Sequence, residues 1–281
     1  MVPDHRLSPR GLSPADLAVL ASATGRRWSV LAALAGGRSD SVQLLAAGDD
    51  RLVVKIKQGA WWADQMVRAV SVTAALRDAG YPAPEVRGHG PLGGDRFYFA
   101  TEYFAGEAPA RLDATLTKEI LAMVERQATV CPPEVRDWST MIRAFLDCGV
   151  AEARFDPSVT ALVGRALDLV DRPLPPLPTG EFVHGDFAAY NLLATGGRLC
   201  GVVDVEAFGR GTRTIDLVSL LASAITTGAD QAVTDLIAAA AVAASDRATF
   251  RACLAHRALA LLLTDPTTGA DLVPRLLARA T

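Results

Sequence analysis

Apolar and polar positions follow two different periods along this chain, and the change of period divides it. After Ser13-Pro14 an apolar-periodic stretch predicts a capped helix to about Ser22. Three strand-like runs follow, Trp28 to Ala35, Val42 to Ala46 and Leu52 to Lys57. Gly36-Gly37-Arg38-Ser39-Asp40-Ser41 links the first two, and Gly48-Asp49-Asp50 turns the second into the third. A helical stretch from about Trp62 to Ala79 stops at Gly80, ahead of Pro82 and Pro84. Phe97 to Phe104 then alternates aromatic and polar positions, as a strand with one buried face does.

Beyond Gly106 the period is mostly helical. Residues 107–180 are charged at the front and broken by Pro173, Pro175, Pro176 and Pro178. Glu181-Phe182-Val183 and Leu192-Leu193 read as short strands, Gly196-Gly197 as a hairpin turn, and Leu199 to Val203 as the returning strand. After Asp216 the pattern stays helical to the end, with apolar faces such as Leu217, Leu220, Leu221 and Ile225. The expected class is therefore α+β, with a small sheet-containing lobe at residues 1–106 and a larger, mainly helical lobe at 107–281.

Composition supports two lobes, since 281 residues with 50% hydrophobic content can bury a substantial core. Cys131, Cys148, Cys200 and Cys253 lack metal or disulfide spacing, which favours reduced thiols. The N-terminus has no signal-type apolar core, and no segment reaches the roughly 18 apolar residues of a membrane span. A cytoplasmic protein without a membrane partner is expected. Residues 1–106 carry 12 Lys+Arg and 10 Asp+Glu, and 107–281 carry 16 and 21, so the lobes are +2 and −5. That division suits an anionic ligand on the first lobe and a cationic one on the second, though it is also within ordinary surface scatter. It lacks the basic stripe that nucleic acid requires.

The candidate chemistry lies between residues 184 and 206. His184, Gly185 and Asp186 are followed by Asn191, and the return strand ends on Asp204 and Glu206. One carboxylate able to orient a hydroxyl, with two hard oxygen ligands for Mg²⁺, is what phosphoryl transfer asks for. Taken singly, each of these residues is as well explained as a turn or a cap.

The runs HGDFAAYNLL (184–193) and GVVDVEAFGRGTRTIDLVSLL (201–221) resemble the aminoglycoside phosphotransferase and choline kinase family of the protein-kinase-like fold. The resemblance spans about residues 25–225. It implies a bilobal enzyme with Asp186 as catalytic base, Asn191 and Asp204 as metal ligands, and His184 and Asp216 as structural support. Glu206 falls on the family's second acidic position. In the first lobe, Ser39 and Ser41 lie in a segment like the family's glycine-containing nucleotide loop, and Glu102 to Gly106, including Phe104, is similar to its hinge. Lys55, one of only three lysines, matches the phosphate-binding lysine, with Lys57 as the alternative should the register shift by two. Strand alternation places Val53, Lys55 and Lys57 on one face, so Val53 could cover a base while Lys55 meets phosphates. Charge protecting an edge strand is the other explanation of Lys57.

One departure stands out. The family's helix glutamate, which holds the phosphate lysine, falls near Ala69 here, and Asp64 is the only acid in the helix body before Asp78. The resemblance implies Mg²⁺, ATP or GTP as donor, and a small acceptor, an antibiotic first and otherwise a metabolite such as choline, homoserine or a sugar; the missing helix glutamate motivates the alternative of a nucleotide-binding module without catalysis. It implies a monomer or dimer. Asp147 and Glu152 are the acidic acceptor-side candidates, and Trp138 is either an acceptor-stacking ring or a core residue.

Overall fold

The computed structural model describes residues 11–34, 41–130 and 136–280. They form two compact units, Met1–Ala105 and Gly106–Thr281. The loop residue Ser39, together with Cys131, lies outside the described residues.

The first unit is built on a five-stranded antiparallel sheet. Strands β1 (Ser29–Leu34), β2 (Ser41–Ala47), β3 (Asp50–Gln58), β4 (Val86–Pro91) and β5 (Arg96–Glu102) are arranged in the order β1-β2-β3-β5-β4. Strand β3 is therefore central, and the edge-strand explanation of Lys57 does not hold. Its side chains alternate as expected. Leu52, Val54 and Ile56 join Leu45, Tyr98, Ala100 and Leu20 in one core, while Val53, Lys55 and Lys57 face the other way.

Helix α1 (Pro14–Thr24) supplies Leu20 to that core. Its start is fixed by a reciprocal capping box: Ser13 Oγ accepts from the Asp16 amide at 3.2 Å, and Asp16 Oδ2 accepts from the Ser13 amide at 2.8 Å. The same Asp16 carboxylate receives Arg96 of β5 at 2.6 Å, which ties the helix to the sheet. Gly25 ends it in a left-handed conformation, φ 70°. Helix α2 (Ala60–Asp78) belongs to the opposite face, where Lys57 lies buried with its ammonium 3.7 Å from the centre of the Trp62 ring.

The second unit begins with α3 (Ala114–Ala128), then the short β6 (Arg136–Asp137) and α4 (Trp138–Ala144), which passes through a π-helical turn, Phe145–Gly149, into α5 (Val150–Glu152). Next come α6 (Thr160–Leu167), β7 (Glu181–Val183), the hairpin β8 (Leu192–Thr195) and β9 (Arg198–Val202), and β10 (Gly209–Gly211). The hairpin turns at Gly196 and Gly197, both with positive φ, as a tight two-residue turn demands. Helices α7 (Thr214–Thr226), α8 (Gln231–Ala243), α9 (Arg247–Thr264) and α10 (Pro266–Leu277) complete the chain. Residues 214–225 of α7 are buried without interruption, so α7 is the axis around which the other helices pack. Among the described residues no helix is long and apolar enough to cross a membrane.

Candidate active site

Strand β7 sends the chain into a loop whose backbone is held from outside. Asp216 sits in the first turn of α7, fully buried, yet its carboxylate serves the loop. Oδ2 accepts from the His184 amide at 2.7 Å and Oδ1 from the Gly185 amide at 2.9 Å. Gln127 of α3 donates to Oδ2 at 2.7 Å and to the Phe182 carbonyl at 3.2 Å. Burial pushes the Asp216 carboxyl up from its ordinary range, and the nearby imidazole, the two loop amides and Gln127 offset part of that.

His184 is equally buried, and its tautomer follows from its partners. Nε2 lies 2.9 Å from the Val203 carbonyl, which can only accept, so Nε2 carries the hydrogen. Nδ1 then accepts from the Asp186 amide at 3.3 Å, so both ring nitrogens are spent on the backbone. The ring also packs edge-on against Phe187 and Phe208. His184 thus links the loop to the end of the β8–β9 hairpin.

Gly185 is required where it stands. Its φ is +84°, and a Cβ there would lie 2.3 Å from Trp138 Nε1. The same indole crowds Gly209 and donates to the Ala207 carbonyl at 2.9 Å. Trp138 therefore wedges between the loop and the turn after Asp204, with the Arg136 guanidinium 5.0 Å over its ring.

Asp186 emerges from this frame beside Asn191. The Asn191 amide nitrogen donates to the Asp186 carbonyl at 2.8 Å and to its Oδ2 at 3.3 Å, which leaves the amide oxygen as the atom with ligand capacity. The Asn191 carbonyl accepts from the Val203 amide at 2.9 Å, bringing the start of β8 against the residue before Asp204. Asp204 adopts φ 67°, ψ 48°, the only non-glycine residue with positive φ among those described. That conformation costs about 1 kcal/mol or more and is held by the packing around it. Glu206 is buried in the 3₁₀ turn that follows.

The structure thus brings His184, Asp186, Asn191 and Asp216 into one hydrogen-bonded group, with Asp204 joined through Val203. Among the described residues no group of three or more His, Cys, Asp or Glu is arranged so that it could hold a metal ion by itself. An amide oxygen and one carboxylate suit Mg²⁺, which completes its shell with phosphate oxygens and water, better than an ion needing an all-protein cage.

Asp147 and Glu152 are not part of this group. Asp147 lies exposed in the π-turn, 3.5 Å from Arg143, and Glu152 is exposed in α5. In the first unit, Lys55 and Val53 share a half-buried face of β3, and Val42 pairs with Lys55 and Ser41 with Ile56. Glu102 at the end of β5 accepts from Arg77 at 2.9 Å and from the Glu85 amide at 3.0 Å, so its carboxylate is a brace of the unit. Its own amide is spent on the Glu85 carbonyl. Phe104 is half-buried just beyond the strand.

Three residues of the group escape sequence reasoning. Gln127 sits in an ordinary helical stretch, and Ser223, whose hydroxyl accepts from the Ala189 amide at 2.9 Å, is one of several small residues on α7. Tyr190 lies inside the quoted run, and its position directly before Asn191 was the available signal. Its hydroxyl donates to Asp186 Oδ1 at 2.9 Å while the residue remains 58% exposed. Loss of solvation at the hydroxyl, then the charge of Asp186 and the bond to it, push the phenol well above its usual range. Arg257 acts in the opposite sense and Asp204 in the same one.

Residues 30–253 match the family described as APH, phosphotransferase enzyme family. No curated protein matches the chain. Among solved structures, the chain is similar to a thermostable mutant of aminoglycoside phosphotransferase APH(4)-Ia in complex with ADP and hygromycin B, at 18% identity, TM-score 0.66, covering 94% of this chain and 96% of that one. It is also similar to macrolide 2'-phosphotransferase MphH from Brachybacterium faecium, at 18% identity, TM-score 0.61, with coverage of 94% and 97%. A provisional fructosamine-3-kinase from Haemophilus somnus aligns at 14% identity, TM-score 0.63, with coverage of 95% and 96%. At these identities the shared property is the fold, an α+β kinase-like architecture.

Proposed function

The chain belongs to the phosphotransferase enzyme family, and from that premise we propose that it moves the γ-phosphate of ATP or GTP to a hydroxyl of a small-molecule acceptor. The observation that carries this reading is the clasp of Asp186, Asn191 and Asp204, one acid able to orient a hydroxyl beside two oxygen ligands. Asp186 orients the acceptor hydroxyl and receives its proton as the oxygen attacks the γ-phosphorus in line. Asn191 Oδ1 and the Asp204 carboxylate would hold Mg²⁺, which would neutralise phosphate charge when bound. Lys55 is assigned to the α- and β-phosphates, and the Lys57 ammonium packs against the Trp62 ring. Ser39, Ser41, Val53 and the Glu102–Phe104 segment are assigned to the nucleotide. For Glu102 that role falls to the backbone, since its carboxylate is occupied. The buried Glu206 and the exposed Asp147 and Glu152 are assigned to the acceptor side.

The acceptor we favour is an antibiotic, an aminoglycoside first and a tuberactinomycin-type peptide or macrolide next, so that phosphorylation confers resistance. Solved relatives of this fold that act on aminoglycosides and macrolides support that choice. Similarity to a provisional fructosamine-3-kinase supports the second reading, a kinase for a metabolite such as choline, homoserine or a sugar. The test is nucleotide-dependent phosphate transfer to a panel of both classes, read by mass of the product. One class of acceptor should gain about 80 Da per phosphate, the net addition of HPO₃ when a phosphoryl group takes the place of the hydroxyl hydrogen. Asp186→Ala should lower turnover by about 10²- to 10⁴-fold. Modification of no acceptor, or full turnover by Asp186→Ala, overturns the reading.

A further inference from the structure

Both oxygens of the Asp186 carboxylate are already engaged by donors. Oδ2 receives the Asn191 amide at 3.3 Å, and Oδ1 receives the Tyr190 hydroxyl at 2.9 Å. A nucleophile that approaches the acid at either oxygen competes there with the donor already bound. Asn191 is 5% exposed and is anchored a second time on the Asp186 carbonyl, whereas Tyr190 is 58% exposed. Tyr190 is the donor that can yield. Its phenol is also chemically an alcohol, presenting to Oδ1 the same O–H that an acceptor would.

We propose that Tyr190 is a positioning residue that stands in for the acceptor hydroxyl, occupying Oδ1 of Asp186 until an acceptor arrives and so suppressing hydrolysis of the bound nucleotide. The inference rests on the phosphotransferase reading above. The suppressed reaction is attack of a water oxygen on the γ-phosphorus. The bond to the bridging oxygen breaks, the nucleoside diphosphate leaves, and the water proton passes to Asp186. Water offers Oδ1 one hydrogen bond and competes with a tethered phenol at high effective concentration. An acceptor brings the binding energy of its remaining groups and displaces the phenol. The exchange therefore discriminates between acceptor and water without a moving lid.

The test needs no knowledge of the acceptor. Hydrolysis of ATP with Mg²⁺ and no acceptor is measured for the full chain and for Tyr190→Phe, with Tyr190→Met as a second variant lacking the donor. ATP affinity is measured alongside. Removing the donated bond should raise the kcat of hydrolysis by about three- to tenfold with the KM for ATP unchanged. The gain should vanish in Asp186→Asn/Tyr190→Phe, which a general loosening of the loop would not produce. Hydrolysis equal to or slower than that of the unsubstituted chain in both variants, or a gain that survives in the double variant, overturns the inference. Failure of the unsubstituted chain to bind either ATP or GTP overturns the phosphotransferase reading itself.

Discussion

At the scale of single residues, the site depends on positions whose identity is forced by backbone or neighbour. Gly185 combines a left-handed φ of +84° with an indole where its Cβ would be. Gly185→Ala adds backbone strain of about 1 kcal/mol and a clash with a ring that is held by its own hydrogen bond to Ala207. We expect a loss of about 2–4 kcal/mol in urea unfolding, whereas Gly180→Ala, at a position with open space around it, should change stability little. The motif made Gly185 and Asp186 legible. The Trp138 wedge was not, because its 47-residue separation in sequence carries no local pattern. The buried Lys57 is a similar case: alternation gave its face, but only packing against Trp62 decided that it is a structural cation.

At the scale of elements, the catalytic loop is supported by the start of a helix that follows it by some thirty residues. An aspartate in a helix's first turn ordinarily serves that helix's own N–H groups. Asp216 instead accepts from the amides of His184 and Gly185 and from Gln127. Asp216→Ala removes the acceptor shared by the His184 and Gly185 amides and Gln127, so it should destabilise the protein by about 3 kcal/mol. Native-state amide exchange should show selective loss of protection at His184 and Gly185. Retained protection at both amides would contradict the bracing role. Strands β1, β2, β3, β5 and β7 to β9, the Gly196-Gly197 hairpin and the capped first helix were readable because period, turn residues and capping residues are local signals, whereas β4, β6 and β10 are short or glycine-containing and carry no such period. The π-helical turn at Phe145–Gly149 was not, since nothing in its sequence separates it from the α4 helix before it.

At the scale of the whole molecule, one half-buried ionisable group sets a pH limit on stability. His256 of α9 meets Phe145 of the π-turn edge-on at 5.6 Å. Burial, with the charge of Arg257 beside it, pulls its pKa from 6.5 down to about 4. Between those values the unfolded chain binds a proton that the folded one refuses, so stability is complete above about pH 6.5 and falls as pH drops toward 4. The cost between pH 7 and pH 5 is about 2 kcal/mol. Urea unfolding at the two pH values should show it, and His256→Leu should flatten the slope by that amount. An unchanged slope would place the pH sensitivity elsewhere. By itself, the sequence determined the α+β class, the strand alternation that orients Lys55, and the order of Asp186, Asn191, Asp204 and Asp216, because periodicity and spacing are written along the chain. Only the tertiary structure decided which atoms those residues spend on one another. It turned Asp216 toward the loop, fixed the His184 tautomer through Val203, wedged Trp138 against Gly185 and set Tyr190 on the acid. Those pairings join residues far apart in sequence or depend on rotamer and burial, and they are settled when the core closes around them.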